Sequence, residues 1–403
     1  MFLKKIISRV LIFLIVAIPY LPLFGEIDRI ASQWAILSGI SFISILILFI
    51  YNEIDNPKIL YSRPIIYYSL FLLFGLISFT SSINLVESLV EFFRYLSVLL
   101  LLIVLPTLTI RFNNSYFLII LLLFFSVIDI IGIFLQNNYG LPLIGFTGNK
   151  NIASASLILK SNSILFLLYK YNNIYIKIFS YIFLTLTYIV ILLIGSKAGV
   201  ITSIIINLII LLIFILFHQK FQKNLIYILA FITSILVSNL YNSNFQTALT
   251  DTVNYTNDPG STDRLKYYTQ ALQSFTESPF FGVGLGNWKI KASKYDSNEM
   301  NEYIVQYHTH NDYLQLLAEV GIGVIFYILF IISIFKILYD ILKRENILFS
   351  NQSSIFILTF LGIVVYFIDS NLNFPAARVV MQINLASILA IIISLNQNGN
   401  SFK

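Results

Sequence analysis

The chain has 403 residues, 58% of them hydrophobic and only 11% charged, with a formal net charge of +6. Soluble domains carry about 25% charged residues, so the composition excludes an ordinary water-soluble globule and belongs to the membrane class. The absence of cysteine excludes disulfides, thiolate metal sites and a cysteine nucleophile. The basic residues are scattered over short loops, which reads as membrane topology and not as a nucleic-acid surface.

Apolar runs long enough for membrane helices recur along the chain. The first, Ile6–Phe24, follows a basic start without a small-residue cleavage site and is expected as a retained span. Next come Gln33–Tyr51, Ile65–Ser81, Tyr95–Ile110, Tyr116–Leu135 and Ile152–Tyr169, the last weakened by Lys160, Ser161 and Asn162. Ile176–Ile194, Val200–Phe217 and Leu225–Tyr241 follow, and Tyr313–Tyr339, Ser354–Asp369 and Val379–Leu395 close the series. The expected fold is all-α: a polytopic bundle of about twelve transmembrane helices. Nine spans fall in residues 1–241, a long loop in 242–312, and three spans in 313–403.

Basic residues set the orientation. With the N-terminus in the cytoplasm, fourteen Lys and Arg lie on the inner side; six (Arg29, Arg94, Lys150, Lys160, Lys197, Arg378) lie in outer short loops or span ends. Both termini are therefore expected inside and the long loop outside.

That loop is polar. Asp258-Pro259-Gly260 marks a turn. STDRLKYYTQALQSFTESP predicts a helix with Ser261 or Thr262 as N-cap, Leu265, Tyr268, Leu272 and Phe275 on one face, and Pro279 as its stop. FFGVGLGNW follows as a glycine-rich turn. Gly282, Gly284 and Gly286 lack the Gly-Lys-Ser/Thr ending of a Walker loop and the strand–turn–helix setting of a dinucleotide site. They read as tight turns folding the loop back on the membrane.

HTHND closes the loop. On an extended segment His308 and His310 share a face; on a helix they diverge. A metal pair lacks a third ligand, since the only other histidine, His218, is expected across the membrane, so no metal is expected. A general base is the functional alternative, and an interfacial histidine bonded to backbone is the plain one. Lys197, Arg264, Arg378 and Lys150 all stand on the expected outer side. Singly each reads as a snorkelling or solvated cation; gathered at one pocket they suit a diphosphate. Asp129 and Glu319 are the clearest intramembrane ionisable residues.

The stretch RLKYYTQALQSFTESPFFGVGLGNW and the following HTHNDYLQLLAEVGIGVIFYILF resemble the signature region of the O-antigen ligase and O-antigen polymerase superfamily. FTGNKNIASASL is similar to that family's Gly-Asn-x-Asn segment, and GSKAG to its Gly-Ser-Arg-Gly corner. The resemblance implies a C-type membrane glycosyltransferase without cofactor, metal or nucleotide sugar. The donor it implies is a glycan on undecaprenyl diphosphate, and the acceptor is lipid A core, another glycan repeat or a protein side chain. By position, His310 takes the role of catalytic base and Arg264 that of the diphosphate clamp. Lys197 replaces the family's corner arginine, keeping the charge but losing the bidentate fork. Arg378 is a further diphosphate contact, and His308, Asn311, Lys150, Asn149, Asn151 and Glu319 are possible supporting residues. The expected partners are the lipid-linked donor, the acceptor and the bilayer, with no nucleic acid. The expected location is the bacterial inner membrane, multi-pass, with both termini cytoplasmic and the active site periplasmic. O-antigen ligase is the preferred activity, polymerase or protein O-oligosaccharyltransferase the alternative, and a transporter or flippase of lipid-linked glycans the alternative of another class.

Overall fold

The computed structural model describes residues 2–21, 29–51, 53, 57–217, 222–241, 259–296, 306–343, 347–349 and 352–397. Regular structure among the described residues is helical. The first half comprises α1 (Phe2–Ala17), α2 (Arg29–Ile50), α3 (Arg63–Ile77), α4 (Leu85–Arg111) and α5 (Ser115–Asn138). It continues with α6 (Lys150–Ser161), α7 (Ile164–Lys170), α8 (Ile174–Ile194), α9 (Lys197–Leu216) and α10 (Leu225–Tyr241). Two loop helices follow, α11 (Pro259–Glu277) and α12 (Trp288–Asp296). The last four are α13 (Asp312–Val320), α14 (Val324–Leu342), α15 (Ser353–Leu372) and α16 (Val379–Gln397).

Among the described residues, ten segments are long and apolar enough to cross a bilayer, with α6–α7 and α13–α14 each counting as one broken span. The protein is thus a multi-pass helical membrane bundle. The apolar helices α1 and α10 stand at the places of the first and ninth expected spans. Pro19, in the 3₁₀ turn Ile18–Tyr20, ends α1 early.

The almost wholly buried α16 runs through the centre, against α4 and α15, and α6–α7 is nearly as enclosed. The break between α6 and α7 falls at Asn162 and Ser163, within the polar patch that weakens this span in the sequence. Lys160 is not at an outer span end. It is 1% exposed inside the bundle, where it pairs with Asp129 and donates to the Tyr20 hydroxyl. A buried ammonium persists in an apolar bundle only with such a partner.

The loop helix α11 begins at Pro259, two residues before the expected caps, because proline is pre-set for the first helical position. Its packing face also differs from the expected one. Leu265 and Leu272 are 62% and 47% exposed. Ala271 is buried instead, and Tyr267 packs with it against Trp288, Ala292 and Ala318. The small residues of this face let α11 lie close on α12 and α13.

The glycine turn folds back as the sequence suggests. Val283 and Gly284 donate to the carbonyls of Ala318 and Glu319, both at 3.0 Å, and Ile322 donates to that of Pro279 at 2.9 Å. Gly282 and Gly321 hold φ of +65° and +59°, and a Cβ on either would strike the backbone of the other segment. Only glycine satisfies both conditions. Asn287 ties the turn to the α3–α4 corner, accepting from Asn84 N at 2.8 Å and donating to Ser88 Oγ at 2.8 Å. These contacts bring the loop, the start of α4 and the start of α13 to one end of the bundle.

Candidate active site

HTHND is built as a turn against the 371–378 stretch. Thr309 is buried; its hydroxyl donates to the Asn311 carbonyl at 2.6 Å and accepts from Asn311 N at 3.2 Å. Asn311 caps α13, accepting from Leu314 N at 3.0 Å, and its amide donates to the Asn371 carbonyl at 3.3 Å. Asp312 accepts from Ala376 N at 3.0 Å. His310 has φ +58°, a left-handed conformation uncommon for a non-glycine residue.

This turn carries both histidines to one ring. His308 stacks on Phe374 with centroids 4.2 Å apart and 14° between planes. His310 meets the same ring edge-on at 5.1 Å and 71°. The Arg378 guanidinium carbon lies 4.9 Å from its centroid. The shared face expected for the two histidines is therefore real, with Phe374 as the surface they share.

A polar chain runs back from His308. Its Nδ1 lies 3.3 Å from Gln315 Oε1, and Gln315 Nε2 donates to Glu319 Oε1 at 3.1 Å. Glu319 also accepts from Gly286 N at 2.9 Å and Trp288 N at 3.4 Å. Glu319 thus anchors the glycine turn and the start of α12, and reaches His308 only through Gln315.

A cavity of about 330 Å³ opens beside this chain. His308, Gln315, Glu319 and Arg378 line it, with Tyr307 and Ala377. Arg94 and Lys289 line it too, Arg94 paired with Glu91 at 3.0 Å and Lys289 with Glu87 at 2.7 Å. Burial, then the charge of Arg378, pushes His308 down to about 3. Burial, then the charge of Arg264, pushes His310 down to about 4. Both imidazoles are neutral at pH 7. Arg264 belongs to α11, which packs on α13 and donates from Tyr268 Oη to the His310 carbonyl at 3.3 Å.

The remaining expected residues form a neighbouring cluster. Asn149 caps α6, accepting from Asn151 N at 2.9 Å and Ile152 N at 3.2 Å. Ser196 caps α9 through Gly199 N at 3.1 Å and donates to Asn151 Oδ1 at 2.7 Å. Lys150 is exposed and Lys197 half-buried at the first positions of these helices. Asn384 Nδ2 donates to Ser156 Oγ at 3.0 Å, so α6 and α16 begin at the same end of the bundle. Neither Lys150 nor Lys197 lines the cavity beside His308.

Sequence reasoning overlooked Phe374, Gln315, Glu91 and Lys289, and read Arg94 only as a topology marker. Glu91 and Arg94 carried a signal, being charges three apart at the start of an apolar helix. Phe374 carried none, as one of 36 phenylalanines.

Residues 181–329 match the O-antigen ligase family. That match supports the O-antigen ligase and polymerase superfamily, whose members are glycosyltransferase-like membrane enzymes. The matched segment holds Lys197, Arg264, the glycine turn, both histidines and Glu319; Arg94, Phe374 and Arg378 lie outside it. No curated protein matches the chain.

Proposed function

We propose that the protein moves a glycan from undecaprenyl diphosphate to an acceptor hydroxyl on lipid A core, as an O-antigen ligase of the bacterial inner membrane. In this reading both termini are cytoplasmic and the end that carries α11 and HTHND is periplasmic. The observation that carries it is the meeting of an imidazole and guanidinium groups at that end. His310 lies in the field of Arg264 and against the ring that Arg378 covers.

The acceptor hydroxyl attacks the anomeric carbon of the donor sugar, and His310 takes its proton. The bond from that carbon to the diphosphate oxygen breaks, and undecaprenyl diphosphate leaves with the electron pair. Arg264 stabilises the developing charge, because a fixed cation needs no reorganisation during the reaction. Arg378 is a second diphosphate contact, and Lys197 a more distant cation of the same face.

The direct test is transfer in vitro from lipid-linked glycan to lipid A core, with His310→Ala and Arg264→Ala. Loss of transfer in both, with the proteins still folded, supports the reading; full activity in both removes the mechanism. A deletion strain with core lacking O-chain identifies a ligase. Core with single repeats identifies a polymerase, and unglycosylated protein a protein glycosylase. Vesicle transport without glycan transfer identifies a flippase.

A further inference from the structure

The two hydrogen-bonding ends of Gln315 are told apart by their surroundings. The Thr309 N–H donates to Oε1 at 3.4 Å, and Nε2 donates to the Glu319 carboxylate at 3.1 Å. Turning the amide over would set NH₂ against the Thr309 N–H and lose that bond. Glu319 is itself held by Gly286 N at 2.9 Å. Gln315 Oε1 also lies 3.3 Å from His308 Nδ1. That oxygen has no hydrogen to donate, so Nδ1 carries the proton and Nε2 keeps the lone pair. Stacking on Phe374 fixes the plane of the ring, which lines the cavity.

We propose that this cavity is a sugar subsite in which His308 Nε2 accepts a hydrogen bond from a glycan hydroxyl, with Gln315 and Glu319 as positioning residues that set the tautomer. The proposal rests on the transferase reading for the identity of the glycan, but the tautomer does not. Three features favour a sugar over a phosphate. A lone pair meets a hydroxyl favourably and an anionic oxygen unfavourably. Of the three cations that line the cavity, Arg94 and Lys289 are already tied to Glu91 and Glu87, and Arg378 lies over the Phe374 ring. A wall alternating guanidinium, carboxylate and amide offers donors and acceptors to hydroxyls on all sides. The volume, about 330 Å³, is at the small end for ligand pockets and suits a sugar unit, not a chain.

The test is nitrogen NMR of the full-length protein in detergent, labelled with ¹⁵N-histidine. The protein has three histidines, so His308→Gln assigns the signal. The expected wild-type spectrum has His308 protonated on Nδ1 and bare on Nε2. Gln315→Leu removes the acceptor and shifts the ring toward the Nε2–H form, whereas Gln315→Glu keeps an acceptor and keeps the tautomer. An Nε2–H ring in the wild type, or one unchanged in Gln315→Leu, overturns the assignment. Glucose, galactose, rhamnose and N-acetylglucosamine at tens of millimolar are the ligand probes, with inorganic pyrophosphate as contrast. The expected response is a larger shift of His308 Nε2 with at least one sugar than with pyrophosphate, whose contact in the transferase reading is Arg378. Silence to every sugar, or a pyrophosphate shift as large as that of any sugar, overturns the subsite. None of these signals requires turnover. A protein with the expected spectrum and no transfer activity therefore removes the transferase reading alone.

Discussion

The imidazole of His308 lies flat on the ring of Phe374, with centroids 4.2 Å apart, and Phe374 itself is 4% exposed. His310 and Arg378 touch the same ring, so one side chain sets the mutual position of three site residues. Phe374→Ala is expected to cost about 3–5 kcal/mol of stability, as for buried aromatics generally. Phe374→Leu keeps an apolar side chain but loses the flat surface and part of the volume. It is expected to destabilise less than Phe374→Ala while lowering transfer by up to about 100-fold, the scale of a 1 Å misplacement. Thermal unfolding in detergent beside single-turnover transfer measures both.

Removing the proposed base and removing the proposed clamp should differ in kind. His310→Ala is expected to lower the chemical step by about 10²–10⁴-fold, the usual contribution of a general base. Arg264→Lys keeps the charge and should retain more transfer than Arg264→Ala, which loses about 10²–10³-fold through the leaving group. Donors with better leaving groups should rescue Arg264→Ala and not His310→Ala. Equal rescue of both would refute the division of roles.

The two histidines also set the response to acid. His310, lowered to about 4, is deprotonated and competent as a base above about pH 5. Transfer is expected to be level from about pH 6 to 8 and to fall below pH 5. Arg264→Gln removes the charge that depresses His310, so its acid limb should move upward in pH. Stability follows the same sign. A folded-state value of about 3 for His308, against about 6.5 unfolded, means the unfolded chain binds more protons in that window. The contribution is fully present above about pH 6.5 and is lost as pH falls toward 3. Melting temperature across pH 4–7, with His308→Gln as control, checks it.

Lys160 and Asp129 belong to the bundle's construction. Lys160→Ala leaves a buried carboxylate without its partner and is expected to cost about 3–5 kcal/mol. The double change Lys160→Met with Asp129→Leu removes both charges and should recover most of that loss. A chemical melt of the three proteins decides it. A double variant no better than the single would show that the pair's own attraction matters more than the orphaned charge.

Glu319 holds the glycine turn through Gly286 N and Trp288 N. Glu319→Ala leaves two buried N–H groups short of a partner, a loss of about 1–3 kcal/mol for each unsatisfied group. Hydrogen exchange at Gly286 and Trp288 should accelerate in Glu319→Ala and much less in Glu319→Gln, which retains an acceptor oxygen.

Much of this architecture is legible in the chain. The apolar runs mark the spans, because a bilayer requires about 20 such residues whatever they pack against. The glycine turn is legible because positive φ and close approach demand glycine. The packing face of α11 was not. Its apolar stripe of Leu265 and Leu272 looks like a core face, yet Ala271 and Tyr267 were selected by the shapes of α12 and α13. Lys160 was misplaced for a similar reason: its charge suggests an outer end, and only the opposing Asp129 makes a buried position tolerable. Arg264 and the histidines drew notice in sequence because titratable groups are rare in this chain.

By itself the sequence determined a helical membrane bundle with one polar loop, a glycine turn and two histidines at a helix start. Those are local properties, set by hydropathy, caps and backbone freedom within a few residues. Only the tertiary structure decided that Phe374, beneath Arg378, meets both His308 and His310. Contacts across some sixty positions depend on how helices cross and where their ends meet, which no local pattern encodes.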